Sequence, residues 1–371
     1  MRRVALRLVR HRTAMAALGF LAAMALACLV GPALTGHAPG RIYPDLVGTA
    51  PGLAAHPRPE TVRPALDRLA FRMRVTVAAV TIRDGTARVT LHAPRPIDPR
   101  VLTYLPRSDL FGPATILDRS EDGRGLVVAA PVLRRHFLLG TDSLGRDLLT
   151  RSLVAGRVSL AIGLVATGVA LLIGLVYGAA AGYAGGRIDA VMMRVVDVLY
   201  ALPFVFFVIM LLVFFPAGLG LILVAIGTVE WLDMARMVRA QTLSLRRRDF
   251  VRAAEALGLS ASRILARHIV PNTLGPVAVA ATLLVPKVIL LESFLSFLGL
   301  GVQEPETSWG ALIAEGARAI ESAPWMLAVP AAFLVATLLA LNVLGDALGE
   351  ALDPRRAGGP SGPHRPGTSP G

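Results

Sequence analysis

The chain has 371 residues, of which 54% are hydrophobic and only 17% charged, and its mean hydropathy is +0.61. So few polar residues cannot cover a soluble globule of that size, and the composition calls for lipid as part of the solvent. The formal charge of +13 would suit nucleic acid, but the arginines gather beside apolar spans and no basic groove with interleaved aromatics accompanies them, so nucleic acid is not an expected partner.

Six apolar segments each approach the roughly 20 residues a bilayer demands. They fall at residues 13–35, 158–182, 195–216, 219–235, 270–301 and 324–345, which predicts an all-α polytopic membrane protein with six transmembrane helices. Arg2, Arg3, Arg7, Arg10 and Arg12 precede the first segment and place the N-terminus inside. Alternation then puts the 183–194 loop, the 236–269 loop and the C-terminal tail in the cytoplasm, and all three carry arginine. The expected organisation is a cytoplasmic N-terminus and first anchor (1–35), an extracytoplasmic insert (36–135), a lead-in segment (136–157), a transmembrane core (158–345) and a cytoplasmic tail (346–371) whose last stretch, GGPSGPHRPGTSPG, is read as disordered. The first segment reads as a retained anchor rather than a cleaved signal peptide, because its apolar stretch outlasts a signal-peptide core. Cys28 lies inside it as the sole cysteine, so neither an internal disulfide nor a thiolate metal site is available.

The insert opens on a proline-rich polar stretch and then changes character. Residues 75–94 place β-branched residues on both sides of Asp84-Gly85, a hairpin signal, and residues 115–131 repeat the pattern around Asp122-Gly123. A small β-rich module is expected, serving as a packing cap or as a contact for substrate or partner.

The second span carries Gly174, Gly178 and Gly182 at four-residue spacing, with Gly186 in phase beyond them. One face is thereby nearly bare, which lets a second helix approach in lipid; a flexible gating face is the alternative. Gly186, with Gly185, is expected to end the helix. Asp197 and Pro203 open the third span, where the proline removes a helix hydrogen bond and predicts a kink. Glu230, Asp233 and Arg236 follow at the foot of the fourth, where Asp233 can pair with Arg236 at i, i+3 or Arg236 can mark the membrane boundary. On the fifth span stand Lys287 and Glu292, five residues and so about 140° apart on a helix, which rules out a pair between them. A charge at that depth costs about 2.5–3.5 kcal/mol, so each needs a partner in the bundle, a neighbouring subunit or a wet path. We expect Glu292 on a wet path or against a neighbouring subunit, and Lys287 against a buried acidic or carbonyl group.

Catalytic motifs are not found. GTDSLGRD (140–147) has two glycines at phosphate-loop spacing, but Arg146 and Asp147 stand where Lys and Ser or Thr belong. Lys287 is the only lysine, so no standard nucleotide-binding loop exists in this chain and any ATP must be bound by another subunit. There is no paired-histidine zinc motif and no nucleophile elbow; the seven histidines, His268 among them, stand singly. No cofactor is expected, and the chain reads as non-catalytic.

Between the fourth and fifth spans lies DFVRAAEALGLSASRILARHIVPN (249–272), a polar, arginine-laced stretch with small residues at Ala253, Ala254 and Ala256 and a bend at Gly258. It resembles the cytoplasmic EAA loop of ABC importer permeases, with Ala253, Ala254, Gly258, Ile269 and Pro271 on the motif positions. Arg252 replaces the acidic residue that usually opens the motif, and Glu255 follows three places later. LLGTDSLGRDLLTR (138–151), residues 221–250, residues 284–312 and GDALGEALDP (345–354) extend the likeness to the C-type permease subunit of bacterial oligopeptide importers. The resemblance implies the type I importer permease fold in the bacterial inner membrane, with both termini cytoplasmic. It also implies a homologous B-type permease, two cytoplasmic ATPases that dock on the 249–269 loop, and an extracytoplasmic peptide-binding protein. Dipeptides, nickel or another small solute remain alternative cargoes. A stand-alone secondary transporter fits less well, because the alanine-glycine loop has no second copy in the other half of the chain.

Overall fold

The computed structural model describes residues 11–216 and 218–352. Arg2, Arg3, Arg7 and Arg10 and the tail expected to be disordered lie outside them. The first third runs through helix α1 (Arg12–Leu34), strand β1 (Ala55–His56), helix α2 (Pro59–Met73), strands β2 (Thr76–Arg83) and β3 (Thr86–His92), a helical turn α3 (Tyr104–Arg107), and strands β4 (Thr115–Arg119), β5 (Gly125–Pro131) and β6 (Arg135–His136). Helices follow: α4 (Leu148–Ala184), α5 (Gly186–Tyr200), α6 (Phe204–Phe214), α7 (Leu219–Arg246), α8 (Asp249–Ala256), α9 (Ala261–Ile264), α10 (Val270–Phe297), α11 (Trp309–Arg318) and α12 (Trp325–Leu352). Two compact units emerge, one of residues 27–156 and 304–333, the other of the remaining described residues.

In the first unit the strands form an antiparallel sheet in the order β2-β3-β5-β4, with Asp84 and Gly85 turning β2 into β3. Both turn residues have positive φ (48° and 74°), the geometry that Asp-Gly supplies at low strain. Alternation sends Ala87, Val89 and Leu91 of β3 and Leu126, Val128 and Ala130 of β5 to one face, all buried. Helix α2, absent from the sequence reading, covers that face with Val62, Leu66, Leu69 and Met73, a helical stripe that the prolines of the region obscure. Pro59 and Glu60 stand in its first turn, where a missing N–H and a negative charge are both tolerated.

The same unit holds a buried ion network. Asp142 is 0% exposed and Arg151 5%. The Asp142 carboxylate accepts the backbone N–H of Leu144 and Arg146 (2.9 and 2.8 Å), Arg146 Nε (2.7 Å) and an Arg151 amine (2.5 Å). Arg151 also donates to Glu315 (2.7 Å) and Arg146 to Glu304 (2.8 Å), which draws the two glutamates from the other end of the unit onto the GTDSLGRD turn. Arg146 thereby holds the Glu304 carboxyl below its ordinary range. Trp309 packs at 0% exposure with its indole N–H on the Ser152 carbonyl at 2.9 Å. Gly140 and Gly145 of GTDSLGRD therefore serve a charge-satisfied turn.

In the second unit the spans depart from their expected bounds. The span expected at 158–182 belongs to α4, which begins at Leu148 because the Asp147 carboxylate accepts the Thr150 N–H at 2.8 Å and caps the helix. The third span is broken: α5 and α6 meet at 80° across residues 201–203, with Pro203 at the N-cap of α6, so the 183–194 loop is helix rather than loop. Four helical stretches are long and apolar enough to cross a membrane, five if the bent pair counts as one: α1, α4, residues 261–297 and α12 are the four. Helix α7 fails that test because of its charges, of which Glu230, Asp233, Arg236 and Arg239 are ion-paired. Asp233 meets Lys287 at 3.0 Å, Arg236 meets Asp197 at 2.9 Å, and Arg239 takes Asp189 with two donors at 2.5 and 2.6 Å. Arg236 thus pairs across to α5, not with Asp233 on its own helix.

Gly174, Gly178 and Gly182 face α7. A Cβ at Gly174 would lie 2.6 Å from Met234 Cβ, one at Gly178 2.9 Å from Val238 Cβ, and one at Gly182 2.8 Å from the Arg239 carbonyl oxygen. The absent side chains let two helices touch through backbone and Cβ atoms. Helix α4 stops at Ala184, followed by Gly185 and Gly186 with φ of 67° and 52°.

Candidate functional site

The EAA-like segment folds as a short helix, a bend and a second helical stretch that together form a compact knob. Helix α8 is closed by hydrogen bonds from Leu257 N–H to the Ala253 carbonyl (3.0 Å), Gly258 N–H to Glu255 (2.9 Å) and Leu259 N–H to Ala254 (3.2 Å). Gly258 at φ 74° supplies the left-handed residue that this ending requires. Helix α9 and one π-helical turn, Leu265–Ile269, return the chain to α10. Val251, Ala254, Ile264 and Ile269 form a small core, with Tyr183, Leu245 and Leu259 packed on it. The Tyr183 hydroxyl donates to Glu255 at 3.1 Å, and the Arg246 guanidinium stacks 5.4 Å above the Tyr183 ring. The knob is therefore fastened to the ends of both α4 and α7.

Ala253, Ala254 and Gly258 do not share one outer surface. Ala254 is only 5% exposed, because its i, i+3 relation to Val251 turns both inward. Ala253, Arg252 and Glu255 are exposed, as is Pro271 in the first turn of α10, while Ile269 is fully buried. The outward stripe is Phe250, Ala253 and Leu257, with Phe250 43% and Leu257 80% exposed. Phe250 and Leu257 were not singled out in the sequence, although two large apolar residues at helical spacing inside a polar segment are a readable signal.

The fifth-span charges separate. Lys287 Nζ lies 2.8 Å from Glu230 and 3.0 Å from Asp233, both on α7, and the three groups line a cavity of about 300 Å³ with Met234, Met237 and Leu284. Glu292 is not on an outer face: it is 0% exposed, accepting hydrogen bonds from Ser296 (2.7 Å) and Ser159 (3.3 Å). Two serine hydroxyls within the helical unit meet the need that a partner subunit was expected to fill. Asp197 is exposed apart from its pair with Arg236, whose guanidinium also stacks 4.3 Å over Tyr200. Among the described residues no group of three or more His, Cys, Asp or Glu side chains is placed to hold a metal ion.

Residues 170–358 match the family model described as the inner membrane component of binding-protein-dependent transport systems. The chain belongs to this family. Residues 1–51 of the permease match a second model, the N-terminal transmembrane domain of oligopeptide transport permease C, and residues 52–169 are matched by neither. The permease is 55% identical over 230 residues to the oligopeptide transport system permease protein OppC of Escherichia coli (strain K12), covering 62% of this chain and 76% of that one. With OppC of Haemophilus influenzae the identity is 46% over 255 residues, or 69% and 81% of the two chains. The dipeptide transport system permease protein DppC of Bacillus subtilis is 48% identical over 217 residues, 58% and 68%. An inward-facing structure of the MetNI methionine ABC transporter aligns over 56% of this chain and 96% of its own at 17% identity, with a TM-score of 0.46. The permease is a multi-pass membrane transport component.

Proposed function

We propose that the permease is the C-type membrane subunit of an ATP-driven oligopeptide importer, with the type I arrangement of six spans, and that it forms half of the translocation pathway. The observation that carries this reading is the α8 knob: a short helix sealed inside by Val251 and Ala254, open outside along Phe250, Ala253 and Leu257, and fastened to two long helices of a chain from the binding-protein-dependent family. Force applied to such a knob moves α7 and α10 as packed bodies instead of being absorbed in a loop. The peptide cargo is favoured by the identities of 55% and 46% to permeases named for oligopeptides. The partners are a homologous B-type permease, two cytoplasmic ATPases and an extracytoplasmic peptide-binding protein. ATP hydrolysis belongs to the ATPases, since the sole lysine, Lys287, is committed to Glu230 and Asp233.

Leu257→Asp should release the ATPases and abolish uptake while the chain stays in the membrane, because an 80% exposed side chain contributes little to the permease's own fold. Gly258→Val should have the same consequence by another route: nothing crowds the position, but a β-branched residue at φ 74° costs about 1–3 kcal/mol and unseats the helix ending. Wild-type ATP-driven uptake in both variants would overturn the assignment.

The six spans are α1, α4, the bent α5–α6 pair, α7, the stretch 261–297 and α12, with both termini cytoplasmic and the sheet-bearing insert outside. In a Cys28→Ser background, a cysteine at Glu121 should react with an impermeant thiol reagent from outside, and one at Arg247 only after permeabilisation. The reverse accessibility would refute this topology.

A further inference from the structure

The cavity between α7 and α10 already holds an ammonium group. Lys287 Nζ sits 2.8 Å from the Glu230 carboxylate as an ion pair and donates a hydrogen bond to Asp233 at 3.0 Å, so donor capacity remains on the cation. The Glu230 side chain is 3% exposed, whereas those of Lys287 (52%) and Asp233 (45%) face the opening. Two carboxylates against one ammonium leave the cluster one negative charge in excess, inside walls of Met234, Met237 and Leu284. Lysine is a point charge on a flexible four-carbon stem, so it can leave such a site without disturbing the backbone. The methionines adapt to side chains of varied shape. At about 300 Å³ the space matches the lower end of small-ligand sites.

We propose that Glu230 and Asp233 form a binding subsite for the primary ammonium group of a peptide in transit, and that Lys287 is its tethered occupant, displaced when a peptide's amino group arrives. The subsite rests on the peptide reading above and adds to it a charge preference: a free amino group is received by the excess carboxylate, and a peptide without one is not. Lys287 in turn neutralises Glu230 whenever the path is empty, so that no buried carboxylate is left unpaired between turnovers.

The test is uptake of tri-alanine and of N-acetyl-tri-alanine by the intact transporter in liposomes, comparing wild type, Lys287→Met and Asp233→Asn. The binding protein is unchanged throughout, so its own preference cancels when each variant's ratio of free to acetylated uptake is divided by that of wild type. Removing the resident competitor in Lys287→Met should raise this ratio by about fivefold, the scale of one partly exposed ion pair. Asp233→Asn, which removes the excess charge, should lower it. An unchanged ratio in both variants, with uptake of the two peptides falling in parallel, would show that the triad only packs the helices and would overturn the subsite. Should Lys287→Met fail to assemble, Asp233→Asn decides alone, since its side chain is 45% exposed. Failure of wild type to import either peptide would instead overturn the peptide reading itself.

Discussion

Replacing Arg151 with methionine should destabilise the insert-bearing unit by about 1.5–3 kcal/mol, the scale of hydrogen bonds lost to charged groups. Asp142 is 0% exposed and takes one of its charged donors from Arg151, which also meets Glu315 at 2.7 Å and Glu304 at 3.9 Å. Without that guanidinium, Asp142 keeps Arg146 and two backbone N–H groups, while the Glu315 side chain, 24% exposed, loses its closest cation. The measurement is the thermal midpoint of the purified permease in detergent, with Asp142→Leu and the double variant Asp142→Leu/Arg151→Met beside it. Each single change should lower the midpoint sharply, and the double change should cost less than the sum of the two, because no Asp142–Arg151 charge is then left unmatched. Strict additivity would show that the two side chains act independently.

A leucine at Gly178 is the second change with a large expected effect. Its Cβ alone would stand 2.9 Å from Val238 Cβ and press on the backbone of α7, and neither neighbour can rotate away. Overpacking of this kind costs about 1–3 kcal/mol or more. Here it also pushes apart the helix pair that carries Arg239 and, beyond it, the α8 knob. We expect Gly178→Leu to remove the chain from membranes or to yield a permease that no longer couples. Gly168→Leu, on the same helix with nothing within 4 Å of the added carbon, should be tolerated. Equal expression, melting and uptake in the two variants would show that the glycine stripe is not a packing face.

Features written in neighbouring residues were legible in the sequence. The Asp84-Gly85 turn, the glycine stripe on α4, the small-residue segment before the fifth span and the lack of a nucleotide-binding loop all follow from residues within a few positions of one another. Helix α2 escaped because its apolar stripe runs through a proline-rich region, where Pro59 and Pro64 suggest a loop. The broken third span was half visible: Pro203 predicts a bend, but hydropathy does not reveal an 80° turn or the helix that precedes it.

The sequence by itself determined that this chain is built for lipid, where its apolar runs lie, which stretch resembles a coupling segment and that it carries no standard nucleotide-binding loop. Hydropathy and helical periodicity are sums over adjacent residues and need no partner. Tertiary structure alone decided where each charge goes. Arg236 reaches Asp197 across 39 positions rather than Asp233 across three, Lys287 finds Glu230 and Asp233, and Glu292 closes on Ser159 133 positions away. It also turned Ala254 inward and left Phe250 and Leu257 facing out. A sequence pattern specifies which residues share a face of one helix. Which other helix meets that face, and so whether a charge is matched or a methyl group exposed, depends on packing between segments that the pattern does not relate.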